Sequence, residues 1–115
     1  MKRGDVVLIR FPFTNLSSSK VRPALVISSD GFSNRAEDAI FIFISSNTDK
    51  PQPTDLLLDQ NHSEFAGSGL KQSSLIKTGK IASLSKSLAS RLLGQMSQNT
   101  MHRINKNLME ILDLN

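Results

Sequence analysis

The close spacing of strand-like apolar segments restricts the fold of this chain more than any other feature. Six segments have the Val, Ile, Leu and Phe content that is typical of β-strands: residues 5–11, 22–29, 38–45, 55–59, 74–77 and 80–84. Parallel strands need crossovers of a dozen or more residues, usually helices, and these connections are too short to supply them. The sequence therefore predicts a mostly β (α+β) fold, a small closed or half-closed antiparallel barrel followed by a C-terminal helix.

The segments between the strands have the residues of loops and turns. Pro12, Asn15 and the serines at 17–19 cannot continue a strand, so residues 12–20 are predicted to form a long loop. Asp30-Gly31 predicts a turn, and residues 61–69 are predicted to be irregular. Residues 24–27 are continuously apolar, which predicts that this strand is covered on both faces. Thr78-Gly79 is predicted to separate two short strands.

Two helices are predicted in the C-terminal third. Ser85 can cap a short helix that runs through Leu92 and ends at Gly94. Ser97 can cap the last helix. The apolar residues of that helix recur every three or four positions, which places them on one face: Met101, Ile104, Leu108, Ile111 and Leu112.

Length and composition limit the class of protein. A chain of 115 residues has the length of one domain, spanning 1–115. The absence of cysteine excludes a disulfide scaffold, a thiolate metal site and a cysteine nucleophile. No segment has the length and apolar content of a signal peptide core or a membrane span, so we expect a soluble cytoplasmic protein without a membrane partner.

Charge is segregated along the chain although the net charge is only +4. Residues 36–70 carry six acidic residues and one lysine, whereas residues 71–106 carry seven cations and no acidic residue. Such a basic stretch is typical of a surface that binds a polyanion, but a solvated basic face would look the same. Six Phe and no Trp or Tyr argue against a platform of several rings for stacking bases.

Most motifs of enzyme chemistry are missing from the sequence. There is no glycine-rich phosphate loop and no GxSxG nucleophile motif. His62 and His102 could act as an acid–base pair on RNA, but two solvated histidines are the commoner situation. With no cysteine and only these two histidines, no metal or other cofactor is expected.

Arg22 is the strongest candidate for chemistry. It opens a strand of buried type, directly before Pro23 and after the serine-rich loop. A guanidinium held there could bind two phosphate oxygens and stabilise a charged transition state, or it could form a structural ion pair. Ser45 and Ser46 end the 38–45 strand; their hydroxyls could donate to a phosphate oxygen or simply begin a turn.

Residues 2–13, with Gly4-Asp5 before an apolar strand, and residues 21–28, with Arg22-Pro23 before the next, resemble the MazF/PemK toxins of type II toxin–antitoxin pairs. The resemblance extends more weakly over the rest of the chain. It implies an SH3-like barrel, a homodimer and a cognate antitoxin as partner.

The resemblance also implies an activity and a set of site residues. Family members are metal-independent, sequence-specific endoribonucleases that cleave single-stranded RNA by 2′-hydroxyl attack and leave a 2′,3′-cyclic phosphate. The family's arginine corresponds to Arg22, expected to stabilise charge and to act as a possible proton shuttle; the hydroxyl residue, usually Thr, corresponds to Ser45. The general base stays open. RNA contacts are predicted at Phe13, Lys20, Ser46, Lys77 and Lys80, although Phe13 could equally pack into the core.

A different class of function uses the same scaffold, namely a non-enzymatic toxin that binds and poisons DNA gyrase. A gyrase binder would need neither Arg22 nor Ser45 and would depend on its C-terminal residues. Here the C-terminal segment, residues 110–115, contains no aromatic residue, which disfavours this alternative.

Overall fold

The computed structural model describes residues 1–11 and 20–115. Its elements, in chain order, are β1 Asp5–Arg10, β2 Val21–Val26, α1 Asp30–Arg35, β3 Asp38–Ser45, β4 Leu56–Leu58, α2 Phe65–Ser68, β5 Ser74–Ser85, a 3₁₀ turn Lys86–Leu88, β6 Ala89–Gln95 and α3 Gln98–Leu112. The strands form one curled antiparallel sheet in the order β4-β5-β3-β2-β1-β6. The predicted antiparallel half-barrel with a C-terminal helix is confirmed.

The central strands are buried on both faces, as the continuous apolar run predicted. Leu25 packs with the residues of α3, including Ile104, in one core cluster. Its neighbours Ala24 and Val26 belong to a second cluster on the opposite face, together with Phe41. Successive strand residues point to opposite faces, so each of these strands contributes to both clusters.

The C-terminal helix begins as predicted. The Ser97 hydroxyl accepts the backbone N–H of Thr100 at 3.2 Å, which caps α3. Ile104 and Leu108 are buried in the core. Leu112, which was predicted to share their buried face, is 52% exposed, because it lies in the last turn, beyond the part of the helix that packs on the sheet.

The predicted helix from Ser85 through Leu92 is wrong. Ser85 does cap a turn, accepting the Ser87 N–H at 3.3 Å, but the turn ends at Leu88. The next residues form β6, which pairs with β1. Pairing with β1, some 80 residues earlier in the chain, outweighs the local helical preference of residues 89–95. The backbone groups of β6 gain hydrogen-bond partners, and its side chains gain a surface to pack on.

Three further expectations need correction. Asp30-Gly31 begins α1 rather than a turn, since Ser29 accepts the Phe32 N–H at 3.1 Å as an N-cap. The region predicted to be irregular contains the short helix α2. The two strands predicted around Thr78 are one strand, β5.

A three-residue bulge interrupts the pairing of β5 with β3. Phe43 pairs with Lys77, but the adjacent Ile42 pairs with Ile81, which leaves residues 78–80 without partners in the ladder. Thr78-Gly79 therefore marks an irregularity within one strand rather than the end of a strand.

Candidate functional site

Arg22 lies at the start of β2, opposite Ile9 of β1. Its neighbour Pro23 pairs with Leu8 and fixes the backbone close to the strand entrance. Arg22 is exposed and has no ion pair within the described residues. Its side chain lines two adjacent cavities of about 270 and 330 Å³. The structural ion pair considered as an alternative for Arg22 is therefore not found there.

The smaller cavity, named here the Phe cavity, combines two rings with polar groups. The rings of Phe11 and Phe43 contact edge to face, with centroids 4.5 Å apart and planes at 72°. The other lining residues are Arg22, Ile44, Ser45, Lys77 and Lys80. In the sequence, both phenylalanines are simply apolar residues of predicted strands. The pairing of Phe43 with Lys77 places this ring beside a cation.

Ser45 is half-buried at the last position of β3. Its hydroxyl oxygen accepts the backbone N–H of Asn47 at 3.2 Å. The Ser45 hydroxyl therefore begins a turn, which is one of the two roles predicted for it. The hydroxyl can still donate its own proton towards the cavity, because a serine oxygen accepts and donates at the same time.

The β5 bulge brings Lys77 and Lys80 to the same cavity. In a regular strand, residues three apart point to opposite faces of the sheet. The three extra residues between the pairs Phe43–Lys77 and Ile42–Ile81 change this alternation. Both lysines consequently line the Phe cavity together with Arg22.

The two lysines differ in their partners. Lys77 Nζ lies 3.1 Å from Oδ2 of Asp55, whose side chain is only 3% exposed. The same oxygen accepts the Gln52 N–H at 2.8 Å. Lys80 is exposed and forms no ion pair within residues 1–11 and 20–115. The charge of Lys77 is therefore largely balanced, whereas Arg22 and Lys80 supply the net positive charge of the cavity.

The larger cavity, named here the Gln cavity, lies on the other side of Arg22. Its polar and charged lining residues are Arg22, Ser46, Lys71, Gln72, Ser74 and Arg91. Among the described residues, no Asp or Glu lines either this cavity or the Phe cavity. No sequence motif marks Lys71, Gln72 or Arg91, because their proximity to Arg22 depends on contacts between distant parts of the chain.

The remaining predicted contact residues fall elsewhere. Ser46 lines the Gln cavity rather than the Phe cavity. Lys20 is exposed, and its carbonyl oxygen accepts the Phe11 N–H at 3.4 Å, but it lines neither of these two cavities. Phe13 lies outside the described residues.

The two histidines share a third, open cavity of about 520 Å³ with Glu64 and Arg103. The His62 Nδ1 accepts the Glu64 N–H at 3.1 Å. Hydrogen bonds from the hydroxyls of Ser97 and Thr100 lower the pKa of Glu64, and its burial opposes this only partly. Within the described residues, no group of three or more His, Asp or Glu side chains could hold a metal ion.

Comparison with known proteins decides the family. Residues 2–112 match the model of a family described as the PemK-like, MazF-like toxins of type II toxin–antitoxin systems. The chain belongs to this toxin family. The resemblance found at Arg22-Pro23 is thereby confirmed.

Solved structures of MazF proteins share the fold of this family member. A MazE–MazF complex from Deinococcus radiodurans superposes with a TM-score of 0.80 at 20% identity, covering 100% of this chain and 98% of that one. An endoribonuclease in complex with its cognate antitoxin from a mycobacterial species gives 0.78 at 20% identity, covering 100% and 97%. The toxin MazF-mt6 of Mycobacterium tuberculosis gives 0.76 at 15% identity, covering 96% and 98%.

A search of curated proteins found no match. Among the described residues of this MazF-like chain, no helix has the length and apolar character needed to cross a membrane.

Proposed function

We propose that this PemK/MazF-family toxin is a metal-independent endoribonuclease that cleaves single-stranded RNA within a short sequence. The observation that carries the proposal is the convergence of Arg22, Ser45 and Lys80 on one cavity that no acidic residue lines within the described chain. Structural neighbours that are themselves endoribonucleases support the proposal.

The proposed reaction is an internal transesterification. The ribose 2′-oxygen attacks the adjacent phosphorus while the bond from phosphorus to the 5′-oxygen breaks, giving a 2′,3′-cyclic phosphate and a 5′-hydroxyl. The 2′-hydroxyl loses a proton and the 5′-oxygen gains one, so the reaction releases and consumes no net proton. The general base stays unassigned.

The cavity residues would act on the negative charge that develops on the phosphate. The Arg22 guanidinium can bind two phosphate oxygens in a fork, and this interaction strengthens as charge builds up on the phosphate. Ser45 would orient one oxygen by donating its hydroxyl proton. Lys80 would contact the backbone phosphate, while Lys77 shares its charge with Asp55.

Partners follow from the same relatives. We propose that a cognate antitoxin binds this protein and covers the RNA site, because proteins of the same fold have been solved in complex with antitoxins. We also propose a homodimer, which rests on the family resemblance, and a cytoplasmic location.

The test is incubation of the purified protein with a mixed pool of single-stranded RNA in excess EDTA. Cleavage with cyclic phosphate ends is expected, and Arg22→Ala should lower the rate roughly 10²–10³-fold. Arg35→Ala is the matched control, because Arg35 is exposed on α1 and, within residues 1–11 and 20–115, its side chain donates only to the Gly31 carbonyl of the same helix.

Two results would contradict the proposal in different ways. Intact RNA after incubation with the wild-type protein would remove the enzymatic function. Equal rates for Arg22→Ala and Arg35→Ala would leave the activity standing but remove the role of Arg22.

A further inference from the structure

The Gln cavity has no role in the chemistry proposed above, although it shares Arg22 and Ile44 with the Phe cavity. Arg22 therefore forms the boundary between two adjoining cavities. A group bound by its guanidinium would have one cavity on each side.

Strand pairing and a glycine contact build the Gln cavity. Leu8 of β1 pairs with Pro23 on one side and with Arg91 on the other, which places Arg91 one strand beyond β1 from the Arg22 strand. Gly69 adopts a φ of +73°, and a Cβ atom there would overlap the carbonyl oxygen of Leu93. This close contact with β6 holds the segment that carries Lys71 and Gln72.

The polar groups of the Gln cavity suit a nucleotide. Lys71 and Arg91 are both exposed, and neither has an ion pair within the described chain. The side chains of Gln72 and Ser46 also make no hydrogen bond within residues 1–11 and 20–115. A glutamine amide can donate and accept at once, which matches the edge of an unpaired base, and the cations match a phosphate.

We infer that the Gln cavity binds a nucleoside directly flanking the phosphodiester at Arg22, with Gln72 and Ser46 selecting its base and Lys71 and Arg91 binding the next phosphate. The inference rests on the proposed endoribonuclease function. An acidic peptide would use the cations equally well, but it would leave the amide of Gln72 without a selective role, so RNA is the occupant that the lining favours.

The decisive experiment measures cleavage preference with a randomised single-stranded RNA library. Gln72→Leu should relax discrimination at one position beside the cut by at least about five-fold, with the other positions unchanged. Gln72→Glu, which loses the amide donor, should change the preferred base at that same position. Gln98→Leu is the control, because Gln98 is exposed on α3 and lines neither cavity.

Binding of a 2′-deoxy-substituted oligonucleotide tests the phosphate contact without requiring cleavage. Lys71→Met should reduce the slope of log affinity against log salt by about 0.7, the value for one contact to a single strand. Lys106→Met, an exposed lysine on α3, should leave the slope unchanged.

The outcomes separate the two hypotheses. A wild-type protein that cleaves, with Gln72 variants that retain its preference and a Lys71→Met slope equal to the control, would overturn the inference alone. A wild-type protein that never cleaves would remove the proposed function, and the oligonucleotide slopes would still decide whether Lys71 binds a nucleic acid.

Discussion

Removing one partner of the Asp55–Lys77 ion pair should destabilise the fold to an extent that depends on which partner is removed. Nζ and Oδ2 are 3.1 Å apart, and the exposed fractions of the side chains are 19% for Lys77 and 3% for Asp55. At an effective dielectric constant of about 20, the attraction is about 5 kcal/mol before desolvation is subtracted. The carboxylate has lost almost all of its water, whereas the ammonium group keeps access to the cavity.

Lys77→Met keeps the apolar stem but leaves the Asp55 carboxylate buried, with the Gln52 N–H at 2.8 Å as its one remaining partner among the described residues. A loss of about 3 kcal/mol in unfolding free energy is expected, the low end for an uncompensated buried charge. Asp55→Asn keeps an oxygen for Gln52 and leaves a lysine that can reach solvent, so about 1 kcal/mol is expected. The double variant should resemble Asp55→Asn, because neither charge remains.

Urea unfolding followed by far-ultraviolet circular dichroism, at fixed protein concentration and neutral pH, gives all four values. Lys80→Met is the control, since Lys80 is exposed in the bulge that follows Lys77 and its replacement should change stability by less than about 0.5 kcal/mol. If the double variant loses as much unfolding free energy as the two single variants together, the pair has no coupling energy and the prediction is refuted. A Lys77→Met protein as stable as Lys80→Met would refute it too.

Two further predictions concern the fold around the site. Hydrogen bonds from Ser97 and Thr100 lower the pKa of Glu64, so the stability from this carboxylate is complete above its unfolded pKa and is lost as pH falls through the folded value. Glu64→Gln should therefore lower the thermal midpoint more at neutral than at acidic pH, and equal losses at both would contradict this. Gly69→Ala should cost more than the roughly 1–2 kcal/mol of its positive φ, because its Cβ would overlap a β6 carbonyl, whereas Gly31→Ala on exposed α1 should be neutral or slightly stabilising. Urea midpoints for the two variants would show this contrast, and equal midpoints would refute it.

The sequence predicted those elements whose cause is local. The 38–45 strand has the predicted bounds because five successive apolar residues of β-forming type need covering on both faces. The start of α3 was predictable because the Ser97 hydroxyl accepts the N–H of Thr100, only three residues later in the sequence. The position of Arg22 at an exposed strand entrance followed from Pro23.

The parts that could not be predicted depend on distant contacts. The residues of β6 form a strand only because β1 offers them a ladder. Lys71 and Gln72 approach Arg22 because Gly69 packs against Leu93, and nothing near either residue in the sequence indicates that contact. Asp55 is one of the six acidic residues in segment 36–70, and its burial beside Lys77 appears only once β4 pairs with β5.

The bulge at residues 78–80 makes chain length at this point a determinant of surface charge. Deleting a single residue there would reverse the side on which the following part of β5 presents its side chains, while every amino acid type in the strand stayed the same. In the divergence of such toxins, substitutions within this segment should therefore be tolerated far more often than insertions or deletions.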